Sequence, residues 1–252
     1  MDQENAHGEG GGTPPPGADE ARGADETPGA GQASGADQTP GATQSAPLGA
    51  LTTARLELVH GAGDIKLRID PDMPALYRVR HEGPLPEISL SEGTVKMRLL
   101  PDWSDLSRLF RRGAAKTTVT LNGSISWELD LRGGASLLDA DLGEIELLVL
   151  EVQGGASRIE VTLPQPWGVC PVKFAGGATS FGLHRPAGAA ARLRVAGGFS
   201  KLAFDDRLVA TVGGAFRIES SGFESAADYF DIDISGGATR LTVDILGTPA
   251  PV

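Results

Sequence analysis

Four histidines, one cysteine and 33 carboxylates are the side chains of this chain that can hold a metal or move a proton. Such chemistry needs them at short, fixed spacings, such as two His one helical turn apart or paired Cys-x-x-Cys. His7, His60, His81 and His184 lie far apart, and no Cys, His, Asp or Glu spacing matches a zinc or iron site, so no metal and no cofactor is expected. Cys170 follows Trp167-Gly-Val in a strand-like run and reads as a small buried hydrophobe rather than a nucleophile. A lone cysteine excludes an internal disulfide framework and fits a reducing compartment. Carboxylates gather at Asp205-Asp206 and at Asp228, Asp231 and Asp233. Alternation turns Asp231 and Asp233 to the outward face opposite Ile232 and Ile234, and Asp205-Asp206 ends a strand where turn carboxylates bond local backbone. No Gly-x-Ser-x-Gly elbow or nucleotide fingerprint occurs, and the chain is read as a protein without catalytic activity.

Binding chemistry concentrates in Pro101-Asp-Trp-Ser-Asp-Leu-Ser-Arg-Leu-Phe-Arg-Arg-Gly113. The pattern predicts a short inserted helix near 102–112, with Asp102 or Ser104 capping its start and Trp103, Leu106 and Phe110 on one face. Arg108, Arg111 and Arg112 fall toward its C-terminal turn, where cations complement the helix dipole. The segment reads either as a lid on the rest of the fold or as a partner-binding element, since Trp, Phe and Arg are the usual anchors of interfaces.

The scaffold for these residues is a repeat. Gly-Gly recurs at Gly133, Gly154, Gly176, Gly197, Gly213 and Gly236, with spacings of 21, 22, 21, 16 and 23 residues. Apolar residues stand four and two positions before the first Gly (Leu150 and Val152; Val172 and Phe174) and five and seven after it (Ile159 and Val161; Phe181 and Leu183). Period two on both sides predicts two short half-buried strands per unit, with the glycines at a sharp corner between them. A Ser or Thr follows at plus three in five copies, placed for a hydroxyl ladder or merely tolerant of the turn. The Gly213 copy, with its short spacing, marks an irregular coil. An earlier copy lies at Leu56 to Leu67, in register if His60 takes the first-Gly position. Asn122-Gly123, between two alternating runs, predicts a hairpin.

Gly-Gly-Ala-Ser is no phosphate loop, because no Lys follows at the required spacing and no helix is due. It is no calcium-binding nonapeptide either, because Leu138, Ile159, Phe181, Leu202, Ile218 and Leu241 occupy the position that requires Asp. One coil of this length buries too few side chains to offset its own conformational entropy, so coils must stack. The expected fold is all-β: a β-solenoid or stacked β-repeat rod over 50–246, about 20–22 residues per coil with Gly-Gly corners, ahead of a short tail at 247–252. An array of Gly-Gly hairpins in a sandwich is the alternative.

Residues 1–48 are nearly free of aliphatic and aromatic residues and read as a disordered acidic tail, with eight acidic residues against Arg22 alone. Most of the net charge of −11 therefore sits there, and neither part offers the basic face of a nucleic-acid or anionic-membrane binder. The start, Met-Asp-Gln-Glu-Asn, has no basic or apolar leader, and no apolar run approaches spanning length. The chain is expected to be cytoplasmic.

Arg55-Leu-Glu-Leu-Val-His-Gly-Ala-Gly-Asp-Ile-Lys-Leu67, Leu129-Asp-Leu-Arg-Gly-Gly-Ala-Ser136, Leu163-Pro-Gln-Pro-Trp-Gly168 and Arg185-Pro-Ala-Gly188 resemble the bacterial putative-adhesin family and the related toastrack domain of Lia-type and phage-shock-type envelope-stress proteins. The resemblance, over roughly 50–246, implies a stacked β-repeat domain used for interaction or sensing, with no catalytic residues to carry over. Three roles follow. The first is a scaffold that presents a flank of the rod or the 102–112 helix to a protein partner; the second is a structural protein that self-associates through its ends; the third is an adhesin-like or envelope-stress-sensing module.

Overall fold

The computed structural model of the chain describes residues 43–60, 63–82, 86–99 and 115–247. Alternating apolar residues form strands throughout, because side chains at every second position can share one buried face. The strands are β1 (Thr43–Pro47), β2 (Thr53–His60), β3 (Asp64–Asp70), β4 (Ala75–His81), β5 (Glu87–Ser91), β6 (Thr94–Leu99), β7 (Lys116–Asn122), β8 (Ser126–Gly133), β9 (Ala135–Asp141), β10 (Glu146–Gln153) and β11 (Ala156–Thr162). Four longer ones run unbroken through the glycine corners: β12 (Val169–Arg185), β13 (Ala190–Phe204), β14 (Arg207–Glu219) and β15 (Tyr229–Ile245). The helical turn among the described residues is a 3-10 turn at Phe223–Ser225.

Two parallel ladders make the body of the fold. One joins β6, β2, β8, β10 and the leading halves of β12, β15 and β13. The other joins β7, β3, β9, β11 and the trailing halves of the same three strands. A coil takes one strand from each ladder and turns between them at the corner. The strands flanking a Gly-Gly pair stack on neighbouring coils, as in a solenoid, and do not close hairpins on each other. The core lies between the two ladders and is built from the repeating pairs that the spacing identified, among them Leu56, Leu58, Leu129, Leu131, Leu150, Val172, Leu183, Leu193, Ile232 and Val243. The degenerate first copy is in the expected register: Leu56 pairs with Leu129, Leu58 with Leu131 and His60 with Gly133.

The first glycine of each pair is where the coils touch. A Cβ on Gly154 would lie 2.0 Å from the Gly133 carbonyl oxygen, on Gly176 1.9 Å from that of Gly154, on Gly236 1.7 Å from that of Gly176, and on Gly197 1.7 Å from that of Gly236. The second glycines are roomier, with Gly237 at 3.3 Å from its nearest neighbour. The plus-three hydroxyls of Ser136, Ser157, Thr179, Ser200 and Thr239 are exposed and tolerate the turn, with no hydroxyl-to-hydroxyl ladder among them.

Coil order departs from chain order at one end. β15 lies between β12 and β13, in parallel register with both, and β14 runs antiparallel beyond β13. The short spacing before Gly213 is the cause. Phe204 pairs with Arg207 across a two-residue Asp205-Asp206 turn, and the corners meet face to face, Gly198 opposite Gly213 and Gly197 opposite Gly214. The Gly213 copy is thus the return arm of a hairpin, and the slot it leaves beside β12 is filled by the last strand. Arg185, 3% exposed at the end of β12, reaches past the inserted strand to Asp205 at 2.6 Å and also donates to the Ala189 carbonyl. The segment after Ile245, suited by its prolines to stop strand pairing at an end, follows an interior strand instead; the outermost strand is β14.

At the other end β4 pairs antiparallel with β7, β1 with β4, and β5 with β6. The acidic N-terminal segment therefore stops short of 48, because Thr43–Pro47 joins the sheet as β1. Asn122-Gly123 does not close a hairpin, since β7 pairs with β3 and β4 while β8 pairs with β2 and β10. It forms a buried corner between coils. Asn122 donates to the carbonyls of Met73 and Ala75 and accepts from the Ser124 amide, and a Cβ on Gly123 would lie 2.8 Å from the Glu144 carbonyl oxygen. The helix expected near 102–112 lies outside the described residues.

Substituting Gly236→Ala should destabilise the fold by about 3 kcal/mol or more, because backbone rather than a movable side chain blocks the added methyl. Gly237→Ala should cost far less, and comparing urea midpoints of the two variants checks the difference.

Candidate interaction surface

The outward faces of the ladders are lined by charges that answer one another from coil to coil. Arg55 bridges Glu128 at 3.1 Å and Asp130 at 3.0 Å, Lys173 meets Glu151 at 2.8 Å, Arg192 forks onto Asp231, and Arg194 forks onto Asp233. Burial works against the Asp130 carboxylate, but hydrogen bonds from Arg132 and Arg55 outweigh it and hold the group below its usual range. Asp231 and Asp233 face outward as alternation requires, yet each is engaged by arginine rather than simply solvated.

On the second ladder His184 sits between two acids. Its Nδ1 lies 2.6 Å from Asp244 and its Nε2 3.2 Å from Glu160. The Asp244 hydrogen bond raises the imidazole above its ordinary value, burial opposes this, and Glu160 adds to the rise. Gly182 makes the arrangement possible, since a Cβ there would lie 2.0 Å from the Glu160 carboxylate. His81 is the contrary case: buried and bonded to Thr117 at 2.8 Å, it is pushed below its ordinary value by burial. Cys170 is buried and its thiol is pushed up to about 12 by desolvation, so the expectation of an inert hydrophobe holds. Among the described residues no group of three His, Cys, Asp or Glu side chains is arranged to hold a metal ion.

A different surface gathers where the β12 and β15 strands begin. Trp167 is 77% exposed, and Val169 two residues on is also exposed. Val169 pairs with Tyr229, whose ring meets Phe223 edge-on at 4.8 Å, and the Arg192 guanidinium lies over both rings at 5.5 and 5.7 Å. The Trp167 turn is fixed by backbone. Gly168 donates to Asp228 at 2.6 Å and accepts from the Tyr229 amide at 2.9 Å, while Pro164 and Pro166 are buried. Arg192 and Arg194 are already spent on carboxylates, so this surface is aromatic and apolar in character, not an anion site. A groove of about 840 Å3 near the Phe223 turn is lined by Arg207, Arg217, Ile218 and Glu219. Its arginines are engaged too, Arg217 with the Glu219 carboxylate and Arg207 with the Glu219 carbonyl.

Trp103, Leu106, Arg108, Phe110, Arg111 and Arg112, the residues singled out from sequence for an interface, lie outside the described residues. The Trp167 surface was missed. A Trp between Pro166 and Gly168 is a turn-tip signal that was available, whereas Phe223 and Tyr229 come to Arg192 through the inserted strand, which no spacing announces.

Two ladders of stacked coils with glycine corners define a stacked β-repeat domain. The sequence matches the family described as the N-terminal domain of toast_rack, DUF2154, over residues 35–184, and the chain belongs to that family. A putative cell adhesion protein from Clostridium sporogenes ATCC 15579 has the same fold, with a TM-score of 0.64 and 15% identity over 82% of this chain and 100% of that one. A putative adhesin from Bacteroides fragilis NCTC 9343 aligns at 12% identity with a TM-score of 0.26, covering 83% of this chain and 98% of its own. A putative lipid binding protein from Parabacteroides distasonis ATCC 8503 aligns at 11% identity with a TM-score of 0.25, covering 83% and 98%. No curated protein matches the sequence. No helix among the described residues is long and apolar enough to cross a membrane.

Because the folded state raises the His184 pKa, the two acids stabilise the fold fully below the ordinary histidine range and cease to do so as pH rises through the raised value. His184→Gln should therefore lower the melting temperature at pH 5.5 and leave it nearly unchanged at pH 9. Thermal unfolding of both proteins at the two pH values reads this out.

Proposed function

We propose that the domain is a non-catalytic scaffold that binds a protein partner through the Trp167, Val169, Tyr229 and Phe223 surface. The observation that carries this reading is an indole left in solvent on a turn whose backbone is tied on both sides of Gly168. A Trp carried on a tied backbone costs less ordering on binding than one on a loose loop, and Trp is a usual anchor of interfaces. Supporting the non-catalytic part, Asp130, Asp231, Asp233 and Asp244 are each engaged by a cationic or imidazole partner, and the one thiol is buried. A buried cysteine without a disulfide partner is also in keeping with a cytoplasmic setting.

An adhesin-like role at the cell surface is the second reading, favoured by the shared fold with the Clostridium sporogenes protein. Fractionation of cells separates the two, since the scaffold reading places the chain with the cytoplasm.

A photo-crosslinking side chain placed at Trp167 should trap a discrete partner in cells, and Trp167→Ala should abolish co-purification of that partner while changing stability by less than about 0.5 kcal/mol, as expected of an exposed residue. Equal recovery of partners by wild-type and Trp167→Ala protein would overturn the assignment.

A further inference from the structure

β14 (13 residues) is the outermost strand of the glycine-corner end, and among the described residues it pairs with β13 alone, leaving its other edge without a partner strand; only the Glu219 carbonyl at its end is taken, by the Arg207 side chain. The free strands at the opposite end, β1 and β5, are 5 residues each. Natural edges are blunted by charge, proline or a bulge. From Leu208 to Phe216 β14 carries no charge and no proline. Its inward residues Val209, Phe216 and Ile218 are half-buried, whereas Leu193, Val195 and Leu202 one strand further in are closed off completely, so the core ends in an open layer.

The corner identifies what fits there. At Gly154, Gly176, Gly236 and Gly197 a glycine is required by the carbonyl of the adjoining coil, but a Cβ on Gly213 or Gly214 would meet nothing within 4 Å. The glycine corner is built, and none of the described residues is stacked on it. Because β14 bends at that corner, a straight peptide can follow only one of its arms; an occupant of the whole edge must bend at the same place. A second β14 does.

We propose that two copies of this chain join end to end through β14, antiparallel about a two-fold axis at the Gly213-Gly214 corner, so that both ladders and the core continue from one copy into the other. A two-fold axis through the corner exchanges the two arms and reverses the rod direction, so the bends nest. With Gly213 opposite Gly214 of the second copy, inward Val209 faces inward Ile218, outward Leu208 faces outward Glu219, and outward Ala210 faces outward Arg217. No like charges stand opposite each other, and each contact occurs twice. Leu208, 55% exposed, is covered by the Arg217 and Glu219 side chains of the second copy. This contact lies on a different strand from the Trp167 surface, and neither depends on the other.

Sedimentation velocity of the full chain over a wide concentration range, with a cysteine pair as a register probe, tests the proposal. The wild-type chain should reach a dimer and stop there. The double variant Leu208→Cys with Glu219→Cys should form a covalent dimer on oxidation that reductant reverses, since the native cysteine is buried. Leu208→Cys alone should not, because the two Leu208 positions stand at opposite ends of the paired strands. Both substitutions are at solvent-facing positions, and circular dichroism confirms that the variants fold. A monomer at every concentration, an open-ended polymer, or a dimer that the double variant fails to trap would each overturn it, and the Trp167 variants report separately on the other surface.

Discussion

The fold depends on one steric constraint: at the corners of four stacked coils the backbone of the neighbouring coil occupies the space of a Cβ. Gly154, Gly176, Gly236 and Gly197 each face the carbonyl of the coil before them in the stack, and an added methyl would lie only 1.7 to 2.0 Å from its oxygen, far inside van der Waals contact. Removing side chains there lets the two arms of a coil meet at a sharp angle while their hydrogen bonds run on to the neighbouring coils. Everything else follows from that pitch. The apolar pairs four and two residues before the corner and five and seven after it stack as columns because the corners hold the coils in register.

The corner rule constrains contact without fixing the order of coils, and that explains which parts of the fold were legible. Strands, register and the His60 equivalence could be read from period and spacing because they are properties of one coil against a template. The insertion of β15 between β12 and β13 is a choice among coils that all carry the same corner, and local sequence hardly distinguishes them. The one local sign was the short interval before Gly213, which is the length of a hairpin and not of a circuit. Asn122-Gly123 misled for a related reason. Its residues suit a two-residue turn, but the Asn122 side chain is drawn into the Met73 and Ala75 carbonyls, and burial at the corner outweighs hairpin closure.

Long-range electrostatics then holds the rearranged end together. Arg185 is buried, and a buried guanidinium is tolerable only with partners, which the Ala189 carbonyl and Asp205, flanking the two ends of β13, supply. Leaving Asp205 without its cation would strand a carboxylate in a turn whose backbone already adopts a positive φ of 52°. The pair therefore links two features with no sequence proximity, the skipped slot and the return hairpin. Sequence reading assigned Asp205-Asp206 to a turn correctly, but the cation that occupies it comes from the end of a different coil and could not be seen along the chain.

Where function resides follows from what the rungs leave unsatisfied. Along the outer faces Arg55, Lys173, His184, Arg192 and Arg194 are each held by carboxylates of neighbouring coils, so these cations are already engaged within the fold. What remains is found where the repeat is interrupted. The Trp167 turn interrupts the passage between coils and leaves an indole in solvent; the β14 hairpin interrupts the winding and leaves an edge and a layer of core uncovered. A regular solenoid conceals its chemistry in its own stacking, and in this chain it is the departures from regularity, set by the inserted strand, that create surfaces for other molecules.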